Sequence, residues 1–196
     1  MKLNLRLILQ ALLFLIILTG TTYGQSTALL SDSSVHQGML DNGMKYYIQP
    51  NGHPKDEVEL RLIVHVGSLA ERDDEQGFAH FVEHMCFNGT RHYPGNEIID
   101  YLESEGLRFG RQFNAYTSFA ETVYMLTLPT EKKELLGNGF QILTDWAGHV
   151  SFEEEEIEKE RGVIIQEWRT GQGAGERLRR QYYPVIFGDA RYTHRM

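Results

Sequence analysis

The pattern of apolar and polar positions between residues 36 and 66 predicts three β-strands. Two runs that contain apolar residues, 36–40 and 44–49, flank the sequence Asp41-Asn42-Gly43. An Asn-Gly pair between such runs is a strong signal for a tight hairpin turn. From residue 57 to residue 66 every even position is Val or Leu, whereas the odd positions are mostly charged. This period of two predicts a third strand with one buried face.

Helical patterns follow the third strand, after a polar and acidic connection. Residues 78–87 predict a helix, and the next two residues, Asn88 and Gly89, tolerate the left-handed conformation that closes helices. A second helix, stopped around Gly106, is marked by apolar residues at helical spacing, namely Ile98, Ile99 and Leu102. Two short helices therefore separate the first strands from the rest of the chain.

A second group of strands is predicted by residues 113–128, which are rich in Tyr, Thr, Phe and Val. This segment is long enough for one or two strands. Pro129 and Thr130 then open a helix that runs from residue 131 to about residue 149, with Thr130 as the predicted N-cap.

Two further helices complete the pattern. The spacing from Ser151 to Glu154 matches a capping box and predicts a long helix that ends at about Thr170, and the helical pattern resumes at residues 176–187. Strands and helices are thus grouped and do not alternate one by one. This order predicts an α+β domain with an antiparallel sheet and helices packed on one face, in contrast to a doubly wound parallel sheet.

The first 24 residues have the pattern of a signal peptide. Lys2 and Arg6 precede an apolar run over residues 7–18, and a small and polar segment follows it. As a helix the run would be about 18 Å long, short of the roughly 30 Å hydrocarbon core of a bilayer. We expect cleavage near Gly24, an exported protein (periplasmic or extracellular) and no stable membrane span afterwards; an uncleaved anchor is the alternative.

Composition and charge narrow the function further. The net charge is −8, and the largest basic cluster, at Arg177, Arg179 and Arg180, lies beside an acidic residue. Nucleic-acid binding needs a clustered basic surface, so we expect no nucleic-acid partner and a solvated helix face at these arginines. The single cysteine, Cys86, excludes an internal disulfide, and we predict that it is a small buried hydrophobe.

The strongest chemical motif lies on the predicted helix at residues 78–87. His80 and His84 are four residues apart, so a helix places both imidazoles on one face, and Glu83 lies close to that face. Two imidazoles suit zinc, and a neighbouring carboxylate can act as a general base on a water molecule that the metal has acidified. The alternative is a pair of surface or core histidines with no metal.

A third protein ligand is expected on the long helix after Ser151. Its first acidic residues resemble a solvated helix start, where carboxylates suit the helix dipole. Glu167 differs because its neighbours are the most apolar part of the helix, and a carboxylate there is costly to bury unless it is paired or bound to metal. Glu160 lies two turns earlier on the same face and is the competing ligand or a supporting group.

These motifs together resemble the pitrilysin/insulinase family of zinc metallopeptidases. The resemblance covers the chain from about residue 36 to its end and rests on an ordered series of segments, namely His80-Phe81-Val82-Glu83-His84-Met85, Phe87-Asn88-Gly89-Thr90, Tyr93-Pro94, Asn114-Ala115-Tyr116-Thr117, Thr122 with Tyr124, and Glu160-Arg161 with Val163 and Glu167. It implies a fold of the pitrilysin/mitochondrial processing peptidase type for residues 30–196.

The resemblance also implies roles for individual residues. His80, His84 and Glu167 would bind one Zn²⁺, Glu83 would be the general base, and Glu160 would support the site without binding the metal. The interval from His84 to Glu167 is longer than is usual in the family, so Glu160 remains the competitor for the third ligand position.

Asn114 and Ala115 match the family's edge-strand segment, along which an extended peptide pairs its backbone. The implied function is a zinc-dependent metalloendopeptidase. A second homologous domain or chain would complete the substrate chamber, and we expect this chain to be a fragment that lacks that half. The alternative is a noncatalytic zinc-binding scaffold or partner subunit; a zinc hydrolase with another substrate is a third possibility.

Overall fold

A computed structural model describes residues 32–195 of the chain. The predicted signal peptide, residues 1–24, lies outside the described residues. The described chain divides into two compact units, one that ends at Gly52 and one that begins at His53.

The first unit contains the predicted hairpin. Strands β1 (His36–Met39) and β2 (Lys45–Ile48) pair antiparallel, with Met39 opposite Lys45. Gly43 in the connection has a φ of +86°, a left-handed conformation that a residue without Cβ adopts at little cost. The hairpin predicted from the Asn-Gly pair is therefore confirmed.

The second unit is built on a three-stranded antiparallel sheet. Its strands are β3 (Glu57–Val64), β4 (Phe113–Thr117) and β5 (Thr122–Pro129), and the order in space is β3-β5-β4. Residues 113–128 thus form two strands of a hairpin. In this arrangement β5 is central and β4 is an edge strand.

Five α-helices in the described part of the chain accompany the sheet. They are α1 (Phe78–Met85), α2 (Glu97–Ser104), α3 (Lys133–Gly148), α4 (Glu154–Gly171) and α5 (Ala174–Phe187), and a short 3₁₀ helix follows at Arg191–His194. None of the helices between residues 32 and 195 is both long and apolar enough to cross a membrane.

The hydrophobic core lies between one face of the sheet and the helices. Leu126 and Leu128 of β5 are fully buried and pack with side chains from α2 and α3, such as Leu102 and Ile142. On the other face of the sheet, alternate side chains such as Glu59 and Arg61 of β3 and Tyr116 of β4 are exposed. The predicted α+β fold with helices packed on one face of an antiparallel sheet is confirmed.

Two predicted helix caps are wrong. Helix α3 begins at Lys133, and the Thr130 amide instead donates to the carbonyl of Asp56, the residue before β3 begins. The cap position before α4 is Glu153 and has no side-chain cap, whereas the Ser151 amide donates to the Gly89 carbonyl. In both places the local pattern assigned the residue to a helix cap, whereas its backbone amide forms a long-range hydrogen bond.

Candidate metal centre

The helix that carries the histidine motif, α1, has a capping group that the sequence pattern did not reveal. Glu71 accepts hydrogen bonds from the Gly77 amide (3.0 Å) and the Ala79 amide (2.8 Å) at the start of the helix. Gly77 itself has a φ of +97°, which favours glycine. Because Glu71 lies six residues before Gly77, no local capping spacing identifies it.

His80, His84 and Glu167 come together at one point. The two Nε2 atoms of the histidines are 3.2 Å apart, and Glu167 Oε2 lies 3.7 Å from His80 Nε2 and 3.5 Å from His84 Nε2. Each residue can offer a ligand atom, and these three atoms lie within 4.8 Å of one another. Residues four apart on α1 thus meet a carboxylate on α4, which the chain reaches 83 residues later.

Glu160 approaches His84 from the other side of its imidazole ring. Its Oε1 lies 2.7 Å from His84 Nδ1, while Asn88 Nδ2 donates to its Oε2 at 2.6 Å. The Glu160 side chain is 10% exposed, whereas that of Glu167 is 50% exposed. The expectation that apolar neighbours bury Glu167 is wrong, because Trp168 and other apolar residues around it are themselves exposed.

Glu83 lies on α1 with the two histidines and is buried, with 8% of its surface exposed. Thr117, the last residue of β4, donates a hydrogen bond from Oγ1 to Glu83 Oε2 at 2.5 Å. The carboxylate is therefore held from the sheet side, next to the histidines on its own helix.

A short backbone pairing brings helix α4 to helix α1. Thr90, just after α1, forms an antiparallel bridge with Val150, just before α4. The Arg91 amide donates to His149, and the Ser151 amide to Gly89. Because both segments are fixed to each other, Glu160 and Glu167 of α4 face the histidines of α1.

A buried carboxylate, that of Asp145, supports this backbone pairing. Asp145 of α3 is fully buried and accepts hydrogen bonds from the Thr90 hydroxyl (2.7 Å), the His92 amide (3.0 Å) and Gln141 (3.1 Å); its Oδ1 also lies 2.8 Å from His92 Nδ1. Burial raises the pKa of Asp145, but these hydrogen bonds outweigh it and hold the pKa below its usual range. The imidazole of His92 is thus paired with the Asp145 carboxylate.

Cys86 is fully buried, as predicted. Its thiol donates to the Tyr124 hydroxyl at 3.2 Å, and burial raises the pKa of the thiol to about 12. Its backbone carbonyl accepts a hydrogen bond from the Trp146 indole at 2.8 Å. The residue therefore belongs to the packing between α1, β5 and α3.

The predicted substrate-binding residues, Asn114 and Ala115, lie on the edge strand β4. They pair with Met125 and Tyr124 of β5 on one side. The other side of β4 pairs with no strand among residues 32–195. Ala115 packs against the core, so Asn114 lies on the opposite face of the strand.

The donor set fits zinc. Two imidazole nitrogens and a carboxylate oxygen are ligands that zinc takes in open, three-residue protein sites. Glu160 is hydrogen bonded to Nδ1 of His84, which leaves Nε2 of that ring for a metal. No lysine or arginine in the described part of the chain forms an ion pair with Glu160 or Glu167, so a bound cation would compensate their charge.

The fold and the site together define a domain of the zinc metallopeptidase class whose helix carries the His-x-x-Glu-His motif. Comparison with known proteins agrees: residues 46–181 match the family model described as insulinase, peptidase family M16. The chain belongs to this family. This finding confirms the resemblance drawn from the sequence.

Several relatives are highly similar. The probable zinc protease PqqL of Escherichia coli K12 is 46% identical over 195 residues, which are 97% of this chain and 21% of that protein. The crystal structure of the periplasmic protease PqqL from Escherichia coli superposes with a TM-score of 0.82 at 48% identity, over 85% of this chain and 18% of that one.

A crystal structure of the first half of the same protease gives a TM-score of 0.81 at 49% identity, and the match covers 84% of this chain and 35% of that one. The chain thus spans about a fifth of the length of the full relatives that it matches.

Proposed function

We propose that this chain is the metal-binding part of a zinc metalloendopeptidase that hydrolyses peptide bonds in extended peptides. The observation that carries the proposal is the convergence of His80, His84 and Glu167 within 4.8 Å, beside the buried carboxylate of Glu83. His80, His84 and Glu167 would hold one Zn²⁺. Glu160 would orient His84, and Glu83 would be the general base.

When bound, zinc supplies a Lewis acid that polarises a carbonyl and makes a water molecule acidic enough to lose a proton near neutral pH. Glu83 accepts that proton and then gives it to the amine that leaves. A buried carboxylate suits this work, because its distance from the reacting groups is fixed by the helix and by Thr117. Glu160 holds one tautomer and orientation of His84 through Nδ1.

A peptide substrate would bind by pairing with the unpaired side of β4. Main-chain hydrogen bonds to Asn114 and Ala115 would provide affinity without requiring a particular sequence, and side-chain pockets would add any preference. This proposal is supported by the edge position of β4 and by Thr117, which places the end of the same strand against the base.

The remaining partner would be a second homologous region that completes the substrate chamber. Support comes from the length of the relatives and from exposed apolar side chains on the last helices, such as Trp168, Val185 and Ile186, which are 49%, 84% and 62% exposed. The name of the Escherichia coli relative and the predicted signal peptide together support a periplasmic location. A noncatalytic scaffold is the alternative, and the complete donor set counts against it.

The test compares wild type with Glu83→Gln in the full-length natural protein. We expect the variant to keep one zinc per chain, measured by metal analysis, and to lose cleavage of a quenched peptide library by more than about 100-fold. If the variant cleaves at the wild-type rate, Glu83 is not the base and the proposal is wrong.

A further inference from the structure

Thr117 is the one residue between positions 32 and 195 whose side chain hydrogen bonds to the Glu83 carboxylate. The distance from Thr117 Oγ1 to Glu83 Oε2 is 2.5 Å, which is in the range of strong hydrogen bonds between a hydroxyl and a carboxylate. Glu83 is 8% exposed, so water has little access to replace this contact. The position of the carboxylate therefore depends on this one hydroxyl.

The direction of this hydrogen bond follows from a count of protons. Thr122 Oγ1 lies 2.9 Å from the Val66 carbonyl oxygen, which can only accept, so the single hydroxyl proton of Thr122 is used there. Thr117 Oγ1 lies 3.3 Å from Thr122 Oγ1 and receives no proton from it. The proton of Thr117 is directed to Glu83, because an ionised carboxylate is the stronger acceptor.

We propose that Thr117 is a positioning residue that fixes the Glu83 side chain and reserves its Oε1 atom for proton transfer. The inference rests on the proposed function of Glu83. Oε2 is occupied by Thr117, whereas Oε1 receives no hydrogen bond from residues 32–195. In the reaction, the O–H bond of water breaks, its proton binds Oε1 and the water oxygen bonds to the carbonyl carbon of the scissile peptide bond. The C–N bond then breaks, the same proton passes from Oε1 to the leaving amine nitrogen, and the carboxylate is restored.

The place of Thr117 in the sheet gives this contact a second consequence. Thr117 lies two residues after Ala115 on β4, so both side chains point to the same face of the strand. A peptide paired along β4 and the base held by Thr117 would share one rigid element. The position of the scissile bond relative to Oε1 would then be set by a single strand, which limits the misalignment that costs rate.

The test uses variants of Thr117 in the full-length natural protein. Thr117→Val keeps the branched shape and removes the hydroxyl, and we expect kcat to fall about 10- to 100-fold while KM changes less than about twofold. Thr117→Ser restores the hydroxyl and should recover kcat to within about threefold of wild type. Thr127→Val makes the same chemical change on β5, on the face that does not carry Thr122, and serves as the matched control.

A zinc titration by competition with a chelator gives a measurement independent of turnover. Thr117 contacts none of the three proposed ligands, so Thr117→Val should bind zinc within about twofold of wild type. The inference is wrong if Thr117→Val keeps the wild-type kcat, if Thr117→Ser is as slow as Thr117→Val, or if Thr117→Val loses its zinc. These failures are distinct from that of the proposed function, in which Glu83→Gln itself stays active.

Discussion

Glu160 and His84 share a hydrogen bond in which the carboxylate Oε1 lies 2.7 Å from the ring Nδ1. This contact turns the opposite nitrogen, Nε2, towards His80 and Glu167. The two glutamates that compete for the third ligand position in the sequence thus lie on opposite sides of one imidazole. This arrangement gives the two glutamates different proposed roles, Glu167 as a ligand and Glu160 as the group that orients His84, and mutations can distinguish them.

The first prediction concerns zinc affinity. Glu167→Ala should weaken zinc binding by more than about 100-fold, because it removes a proposed ligand, whereas Glu160→Ala should weaken it about 10- to 100-fold by releasing the orientation of His84. Competition titration of the purified proteins measures both values. If Glu160→Ala costs more affinity than Glu167→Ala, the assignment of the two glutamates is reversed.

The second prediction concerns the buried carboxylate of Asp145. Asp145→Ala leaves the Thr90 hydroxyl and the His92 amide without their acceptor, and we expect a loss of about 2–4 kcal/mol in the free energy of unfolding. Urea unfolding measures it. Asp100→Ala, at an exposed position of α2, is the control and should change stability by less than about 0.5 kcal/mol. Equal effects of the two variants would contradict a special role for Asp145.

The third prediction concerns two glycines of α3. A Cβ on Gly139 would lie 2.5 Å from Leu128 Cδ1 in the core, whereas a Cβ on Gly137 would meet nothing within 4 Å. Gly139→Ala should therefore destabilise the protein by about 1 kcal/mol or more, as overpacking outweighs the gain in helix propensity. Gly137→Ala should stabilise it by about 0.5–1 kcal/mol. Thermal melting compares them, and a shift of the same sign for both would disprove the packing argument.

The fourth prediction concerns the pH dependence of stability at α5. Hydrogen bonds from Arg179, joined by Arg180 and partly opposed by burial, lower the pKa of Glu176 from 4.5 to about 2. A carboxyl group with a lowered pKa in the folded state stabilises the fold at pH values above its pKa in the unfolded state. This contribution to stability is lost as the pH falls towards 2. The difference in stability between wild type and Glu176→Gln should be constant from pH 7 to about pH 5 and should shrink below it. A difference that stays constant down to pH 3 would contradict the pairing.

Much of the fold could be read from local patterns, because strands and amphipathic helices impose periods of two and about 3.6 on the chain. The alternation at residues 57–66 predicted β3, although the strand ends at Val64, and the Asn-Gly pair predicted the β1–β2 hairpin. The predictions of helix caps at Thr130 and Ser151 are wrong because contacts outside the local pattern decide these positions. Their backbone groups bond to Asp56 and Gly89, residues that are distant along the chain.

The sequence by itself determined the family and the chemistry of the motif, since His80, Glu83 and His84 owe their common face to the geometry of one helix. The tertiary structure decided which glutamate meets which ring nitrogen, since Glu160 and Glu167 lie two turns apart on one face of α4 and the contacts that distinguish them come from other elements. It also brought Thr117 into hydrogen-bonding contact with Glu83, and Asp145 with Thr90. Contacts between distant segments leave no periodic trace in the sequence, because each depends on how separate elements pack.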